Sequence, residues 1–416
     1  VIRQGVRGAP MFGVVLITGC AAYMTLPAGA LYRRLQYRIS SSPHLLADPW
    51  GADLALEVAA AVDAVQRSMQ LCNMLACEMA VVEGDATSGK TMDACDTTAG
   101  VSFIKPGDDT PVTAADFAIQ GMVSGLLHEQ FPNDRFMGEE DAADLRADPE
   151  LCSLALRLCS EFSKGARTSS VDDNLDLPRN LMDEGQRSDG FTSREGFLSA
   201  VDAGLEPPRG QGERCWVLDP IDGTKGFMTG QGFVIGLALL DARGEALIGV
   251  MGVPPEQEAP PIMAAVRGHG LRWFNAIGDT AVEYSPSQPT WAYTPYTQGE
   301  QPPPWLISPQ KASSECVPFG QPCAGLQTIC CGAMIKYFEC AAGRVAGFVQ
   351  YEEELKTWDH ACGLICVSES GGAATDAADD EVLFPERLFK VKGGVVCSSK
   401  YASPEVRQAL LDAAKR

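Results

Sequence analysis

Between Trp216 and Phe227 the chain reads Trp-Val-Leu-Asp-Pro-Ile-Asp-Gly-Thr-Lys-Gly-Phe, and no other stretch constrains the fold so strongly. The apolar run is a buried strand that delivers Asp219 to its end. Pro220 and Gly223 then force a turn, which brings Asp222 back beside Asp219. Two carboxylates held together at a strand end repel unless a cation lies between them. Hard oxygen ligands of this kind suit Mg2+. The same residues also make an ordinary turn with capping aspartates, so the pair alone leaves both readings open.

Three further acidic clusters stand at element ends. Phe136-Met137-Gly138-Glu139-Glu140-Asp141 places acids after a short apolar strand. Trp358-Asp359-His360-Ala361 opens a helix that Ser368-Glu369-Ser370-Gly371-Gly372 closes. Asp108, Asp109 and Asp116 flank Pro111-Val112-Thr113 ahead of another helix. An Asp at a helix start also caps it. Four such clusters, each at an element end, are hard to explain as solvated surface.

The rest of the pattern is mixed. Apolar residues at helical spacing predict helices over 53–77 and 113–131. The stretch 83–111 reads as loop, and 141–213 as a long polar excursion with helices at 149–162 and 193–201, the latter capped by Ser193 with Glu195 in its first turn. Strands are expected at 215–218, 233–240, 246–253 and 264–266, and the short turn Asp241–Gly244 implies antiparallel pairing. Six prolines between 286 and 304 mark a linker. Beyond it come a strand at 306–308, helix 333–340, strand 345–349, helix 358–368 and strands near Ala373 and Val395, in α/β alternation. The expected organisation is an α+β domain over 48–295 and a smaller α/β domain over 305–416, with the active site between them.

Length and charge narrow the function. The 416 residues correspond to two or three domains, or one large layered unit, at roughly 100–200 residues per domain. A net charge of −21 disfavours broad polyanion binding, so no nucleic-acid partner is expected. Fifteen cysteines without a Cys-x-x-Cys pair or Cys/His ligand spacing argue against a zinc ribbon and for a reduced, intracellular compartment. Residues 1–47 carry five Arg and no acid, with a Ser run at 40–42. That composition reads as a plastid or mitochondrial targeting segment. Gly13, Gly19, Pro27 and Gly29 interrupt its uncharged stretch, so a stable membrane span is not expected.

Taken together in this order, Pro111–Asp116, Gly138–Asp141, Asp219–Phe227 and Trp358–Ala361 followed by Ser370-Gly371-Gly372 resemble the lithium-sensitive, Mg2+-dependent phosphatase superfamily of inositol monophosphatase. Lys225-Gly226-Phe227, the long insert after Glu140 and the phrase Val201-Asp202-Ala203-Gly204 resemble its 3′(2′),5′-bisphosphate nucleotidase branch. The resemblance spans about residues 52–400. It implies a layered αβαβα sandwich of the inositol monophosphatase/fructose-1,6-bisphosphatase type and a small phosphorylated substrate. By motif match, Glu139, Asp219, Asp222, Asp359 and the Ile221 carbonyl hold two or three Mg2+ ions, and Asp116 lies near them. Thr224 and Asp108 orient and deprotonate the attacking water. The Gly223 and Thr224 main-chain N–H groups face the phosphate, and Lys336 and Gln350 fall at substrate positions. Two departures stand out. Gln350 occupies the place of an Arg, and Ser313-Ser314 lies between Ala312 and Glu315 rather than beside His. The implied activity is removal of the 3′-phosphate from adenosine 3′,5′-bisphosphate or its sulfated form, with an inositol (poly)phosphate 1-phosphatase as the alternative.

Gly84–Thr91 also fits the P-loop pattern, which needs a strand before it and a helix after it. The preceding residues are helical in pattern, so the match reads as chance. A P-loop ATPase and a catalytically dead nucleotide sensor remain the rivals of another class. His269 and His360 lie in no triad-like setting and read as structural.

Overall fold

A computed structural model describes residues 54–86, 102–104, 111–163, 193–205, 213–230, 232–254, 260–277, 281–284, 287–290, 292–293, 303–307, 326–328, 332–351 and 354–415. They all belong to one compact unit. The presumed targeting segment, Asp108 and Ser313–Glu315 lie outside the described residues.

The helices are α1 (Ala55–Ala86), α2 (Ala114–Gln130), α3 (Ala143–Ala147), α4 (Pro149–Ser163), α5 (Arg194–Asp202), α6 (Thr224–Thr229), α7 (Met334–Ala341), α8 (Ala361–Glu369) and α9 (Pro404–Ala414). A hairpin of β1 (Ser102–Ile104) and β2 (Pro111–Thr113) leads into α2. The large sheet follows chain order: β3 (Arg135–Gly138), β4 (Cys215–Asp222), β5 (Val234–Leu240), β6 (Ala246–Gly252), β7 (Ile262–Val266), β8 (Gly270–Phe274) and β9 (Ala281–Val282). Only β3 and β4 pair in parallel there; the remaining pairs are antiparallel, as short turns require. The second sheet holds β10 (Trp305–Ile307), β11 (Leu326–Thr328), β12 (Gly347–Gln350), β14 (Ala373–Asp376) and β16 (Val395–Ser398), in the order β11-β10-β12-β16-β14. Between them in sequence, β13 (Glu354–Lys356) pairs with β15 (Leu388–Lys390).

Five layers result. Helices α1 and α2 cover one face of the large sheet, α7 and α8 fill the space between the two sheets, and α9 covers the far side of the second. Both faces of the central strands are therefore apolar, and strict alternation disappears from their sequences. Three glycines let the helices sit close. A Cβ on Gly252 would lie 2.7 Å from Val65 of α1, and one on Gly249 would lie 2.6 Å from the Cys362 carbonyl of α8. A Cβ on Gly236 would strike Met334 and Cys362 in the same middle layer. Cys72, Cys152, Cys159, Cys215, Cys340, Cys362, Cys366 and Cys397 are buried free thiols, packed as small hydrophobes.

The structure corrects several expectations. The first helix continues to Ala86 rather than ending near Cys77. Pro220 does not end its strand: β4 runs on through Asp222. The stretch 83–111, expected to be loop, holds strand β1 at Ser102–Ile104 and the start of β2, and strands β8, β9, β11, β13 and β15 and helices α3 and α9 were not expected either. Among the described residues, no helix is long and apolar enough to cross a membrane.

Candidate metal centre

The placement of Asp219 and Asp222 follows from strand register. Residues three apart on a regular strand point to opposite faces. Along β4, Asp219 pairs with Gly236 while Asp222 pairs with Val234, so three steps on β4 answer two on β5. The irregularity between them is a bulge at Pro220-Ile221, and it turns both carboxylates toward the middle layer. The parallel pairing of Gly138 with Leu218 makes Glu139 and Asp219 the next residues on adjacent strands. Asp359 arrives from the opposite side, just ahead of α8.

The centre is thus the meeting of two strand ends with two helix N-termini. Asp222 seats on one of them: its Oδ1 accepts from the Ala333 N–H at 2.8 Å and its Oδ2 from the Met334 N–H at 2.6 Å, at the start of α7. Gly332 makes this possible. Its φ is +93°, and a Cβ there would lie 2.3 Å from Asp222 Oδ2. Asp219 Oδ1 accepts from the Ile221 N–H at 3.1 Å. Oxygens of Asp219, Asp222 and Asp359 all lie within 4.8 Å of one another.

Three acids this close cannot all be ionised without a cation. Burial, then Glu139 and Asp222, push the Asp219 carboxyl well above the usual carboxylate range. Burial, then Glu139 and Asp222, do the same to Asp359, against the pull of Lys356. Burial raises Asp222 to about 6, with the α7 main-chain donors and Lys336 holding it down. The trio is therefore a donor set of hard oxygens in want of positive charge, which is what a divalent cation supplies.

Around it, the other expected residues fall as follows. Thr224 Oγ1 donates to the Ile221 carbonyl at 3.1 Å, and Gly223, at φ +88°, precedes α6. Asp116 is buried in α2. Its Oδ2 accepts from the Thr113 N–H at 2.8 Å and the Thr113 hydroxyl at 2.7 Å, a capping box. Burial raises Asp116 to about 7, with Glu139 contributing. Lys336 is buried and its Nζ donates to the Gly332 carbonyl at 3.0 Å, beneath the seat of Asp222. Its neighbour Tyr337 is a core residue, hydrogen-bonded to His360 Nδ1 at 2.6 Å. Burial lowers His360 to about 3, so it stays neutral and structural, as its sequence setting implied. Gln350 ends β12, paired with Val395. Glu139 is not part of the trio; its Oε1 accepts from Lys356 Nζ at 3.2 Å. As for the P-loop match, its first residues, Gly84–Ala86, continue α1, so no strand precedes it.

Two residues that hold the centre escaped the sequence reading. Gln120, fully buried on α2, pairs with Glu140 through both main-chain groups: its Oε1 accepts from the Glu140 N–H at 2.9 Å and its Nε2 donates to the Glu140 carbonyl at 2.6 Å. The same Nε2 donates to the Val201 carbonyl at 2.7 Å. The phrase Val201–Gly204 thereby braces the Glu139 loop, and Asp202 Oδ1 adds a bond from the Ala142 N–H at 2.9 Å. A polar residue inside an otherwise apolar helix face was the available signal. Gly332 carried no signal beyond its place before a helix.

A model of the inositol monophosphatase family matches residues 187–414 of this chain. The chain is 29% identical over 379 residues to a putative mitochondrial 3′(2′),5′-bisphosphate nucleotidase of Arabidopsis thaliana, covering 82% of this chain and 83% of that one. It is 28% identical over 394 residues to a 3′(2′),5′-bisphosphate nucleotidase of Oryza sativa, at 88% and 96% coverage. A solved IMPase from Thermotoga maritima is similar at a TM-score of 0.48 and 17% identity, over 85% of this chain and 96% of that one. The family match takes in Asp219, Asp222 and Asp359 and more than half of the sequence: the chain belongs to the inositol monophosphatase family.

Proposed function

We propose that this chain is a Mg2+-dependent phosphomonoesterase that removes the 3′-phosphate from adenosine 3′,5′-bisphosphate or its sulfated form. The observation that carries the reading is the trio of Asp219, Asp222 and Asp359, the first two buried, with oxygens within 4.8 Å of one another. When bound, the metal lowers the pKa of water and neutralises charge on the departing oxygen. The chain's own groups do the rest. The trio, Glu139 and the Ile221 carbonyl hold the cation. Thr224 and Asp108 orient the attacking water and take its proton. Gly223 and Thr224 present main-chain donors to the phosphate, and Asp116 fixes the start of α2 beside the centre. Lys336 compensates the negative charge of Asp222 from below.

The nucleotide as substrate is supported by the Lys225-Gly226-Phe227 phrase and by relatives that are named 3′(2′),5′-bisphosphate nucleotidases. One of them is described as mitochondrial, which supports the reading of residues 1–47 as an organelle-targeting segment. Gln350 and Glu315 favour the second reading, an inositol (poly)phosphate 1-phosphatase, because an Arg would hold a remote phosphate bidentately where Gln350 cannot. A phosphate-release panel over bisphosphorylated nucleotides and inositol phosphates, with and without Mg2+, separates the two. Faster hydrolysis of inositol 1,4-bisphosphate than of the nucleotide overturns the first. Replacing Gln350 by Arg should lower KM for the nucleotide about tenfold at nearly constant kcat, the worth of one charge-assisted hydrogen bond.

A further inference from the structure

Of the four acids expected to bind metal, Glu139 alone stands outside the trio of close carboxylates. The parallel register brings it beside Asp219, yet its Oε1 is bonded to Lys356 Nζ at 3.2 Å. Lys356 is the last residue of β13 and lies three residues before Asp359. Its Nζ stands 5.7 Å from the centre of the Trp358 ring, and the Arg387 guanidinium stands 4.5 Å from the same ring. Arg387 is tied in turn to the Gly204 carbonyl, in the phrase that braces the Glu139 loop. The ammonium is thus held at the rim of the centre, with 41% of its side chain exposed against 23% for Glu139.

We propose that Lys356 is an internal counterion for Glu139 that a divalent cation must displace, so that ammonium and metal compete for one carboxylate. The inference rests on the metal-dependent reading of the site. A lysine suits this role. Its charge is compact and its stem flexible, and at this exposure the freed ammonium returns to water readily. It satisfies one carboxylate, whereas a divalent ion draws several together. The pair is only part-buried, so water still screens it and it is weak enough to be exchanged. The competition would hold metal affinity below what four unencumbered acids provide.

The test is Mn2+ binding to the full chain by calorimetry, without substrate and at fixed ionic strength. Replacing Lys356 by Gln should tighten Mn2+ binding about tenfold, and Lys356→Met should act alike. Lys356→Arg, which keeps the charge, should bind no tighter than the wild type. In a Glu139→Gln background the gain from Lys356→Gln should shrink below about threefold, because the contested carboxylate is gone. Unchanged or weaker binding in Lys356→Gln overturns the proposal, as does a gain that persists in full in the Glu139→Gln background. A wild type that binds no Mn2+ at all overturns the metal-dependent reading and this proposal with it. Wild-type binding that Lys356→Gln leaves unaltered overturns this proposal alone.

Discussion

Both carboxylate oxygens of Asp222 accept main-chain hydrogen bonds from the start of α7, whereas Asp219 accepts one, from Ile221. The same substitution should therefore act differently at the two positions. Asp222→Asn leaves a buried N–H without an acceptor and should cost about 1–3 kcal/mol of stability, read as a lower melting temperature. Asp219→Asn keeps its one acceptor and removes a charge its neighbours repel, so the metal-free protein should melt no lower than the wild type. Both should lose activity. Titration gives a second expectation. Asp116 and Asp222 are raised to about 7 and about 6 in the folded state, above the ordinary carboxylate value of about 3.9. The folded form then binds more protons than the unfolded one. The stability from these groups is fully present below the unfolded pKa and is lost as pH rises through about 6 to 7. In chelator, the melting temperature should fall between about pH 5 and about pH 8, and a divalent metal should flatten that fall. A melting temperature that rises over this interval in chelator contradicts the assignment. The acids themselves were legible in sequence, because each lies in a short motif whose chemistry is local. Lys356 was not, since its partner is 217 positions away and only the fold joins them.

At the scale of elements, the long helices were readable because a 3.6-residue period survives burial. Ser193 caps α5 as its sequence implies, whereas Thr113, expected as the first residue of the second helix, caps α2 instead. The bulge in β4 was not readable. Pro-Ile-Asp-Gly signals a break, and a turn and a bulge use the same residues; only the β5 register separates them. Strands β13 and β15 are three residues each, rich in charge, and pair with each other across a helix and a strand, so they carry too little alternation to detect. Helix α9 did announce itself with Ser403-Pro404-Glu405, a start signal of the same kind as Ser193. The Gln120 clamp makes a prediction about elements. Gln120→Ala removes the bonds that join α2, the Glu139 loop and α5, leaving buried main-chain groups unpaired. It should cost about 1–3 kcal/mol and also raise the metal concentration needed for half-maximal activity. A purely structural loss would lower the melting temperature and leave metal dependence unchanged. Gly249→Ala should be destabilising by about 1–3 kcal/mol for a different reason: its Cβ would meet the Cys362 carbonyl, which sits in backbone that cannot yield without moving α8.

The whole molecule concentrates its charge problem at one point. A chain of net charge −21 gathers Asp219, Asp222 and Asp359, the first two buried, where β4 meets the N-termini of α7 and α8. That arrangement is sensible only if a cation repays the desolvation, and family membership points the same way. Resemblance also implies inhibition by Li+ in place of one Mg2+, so indifference to Li+ would indicate a more distant relative. The decisive measurement is the initial rate of orthophosphate release from adenosine 3′,5′-bisphosphate, compared in Mg2+ and in excess chelator for the wild type and Asp219→Asn. Release should require Mg2+, return when Mg2+ is restored, and fall about a hundredfold or more in Asp219→Asn. A full rate in chelator, or an undiminished rate in Asp219→Asn, would contradict the assignment of this centre as a metal-dependent phosphatase site.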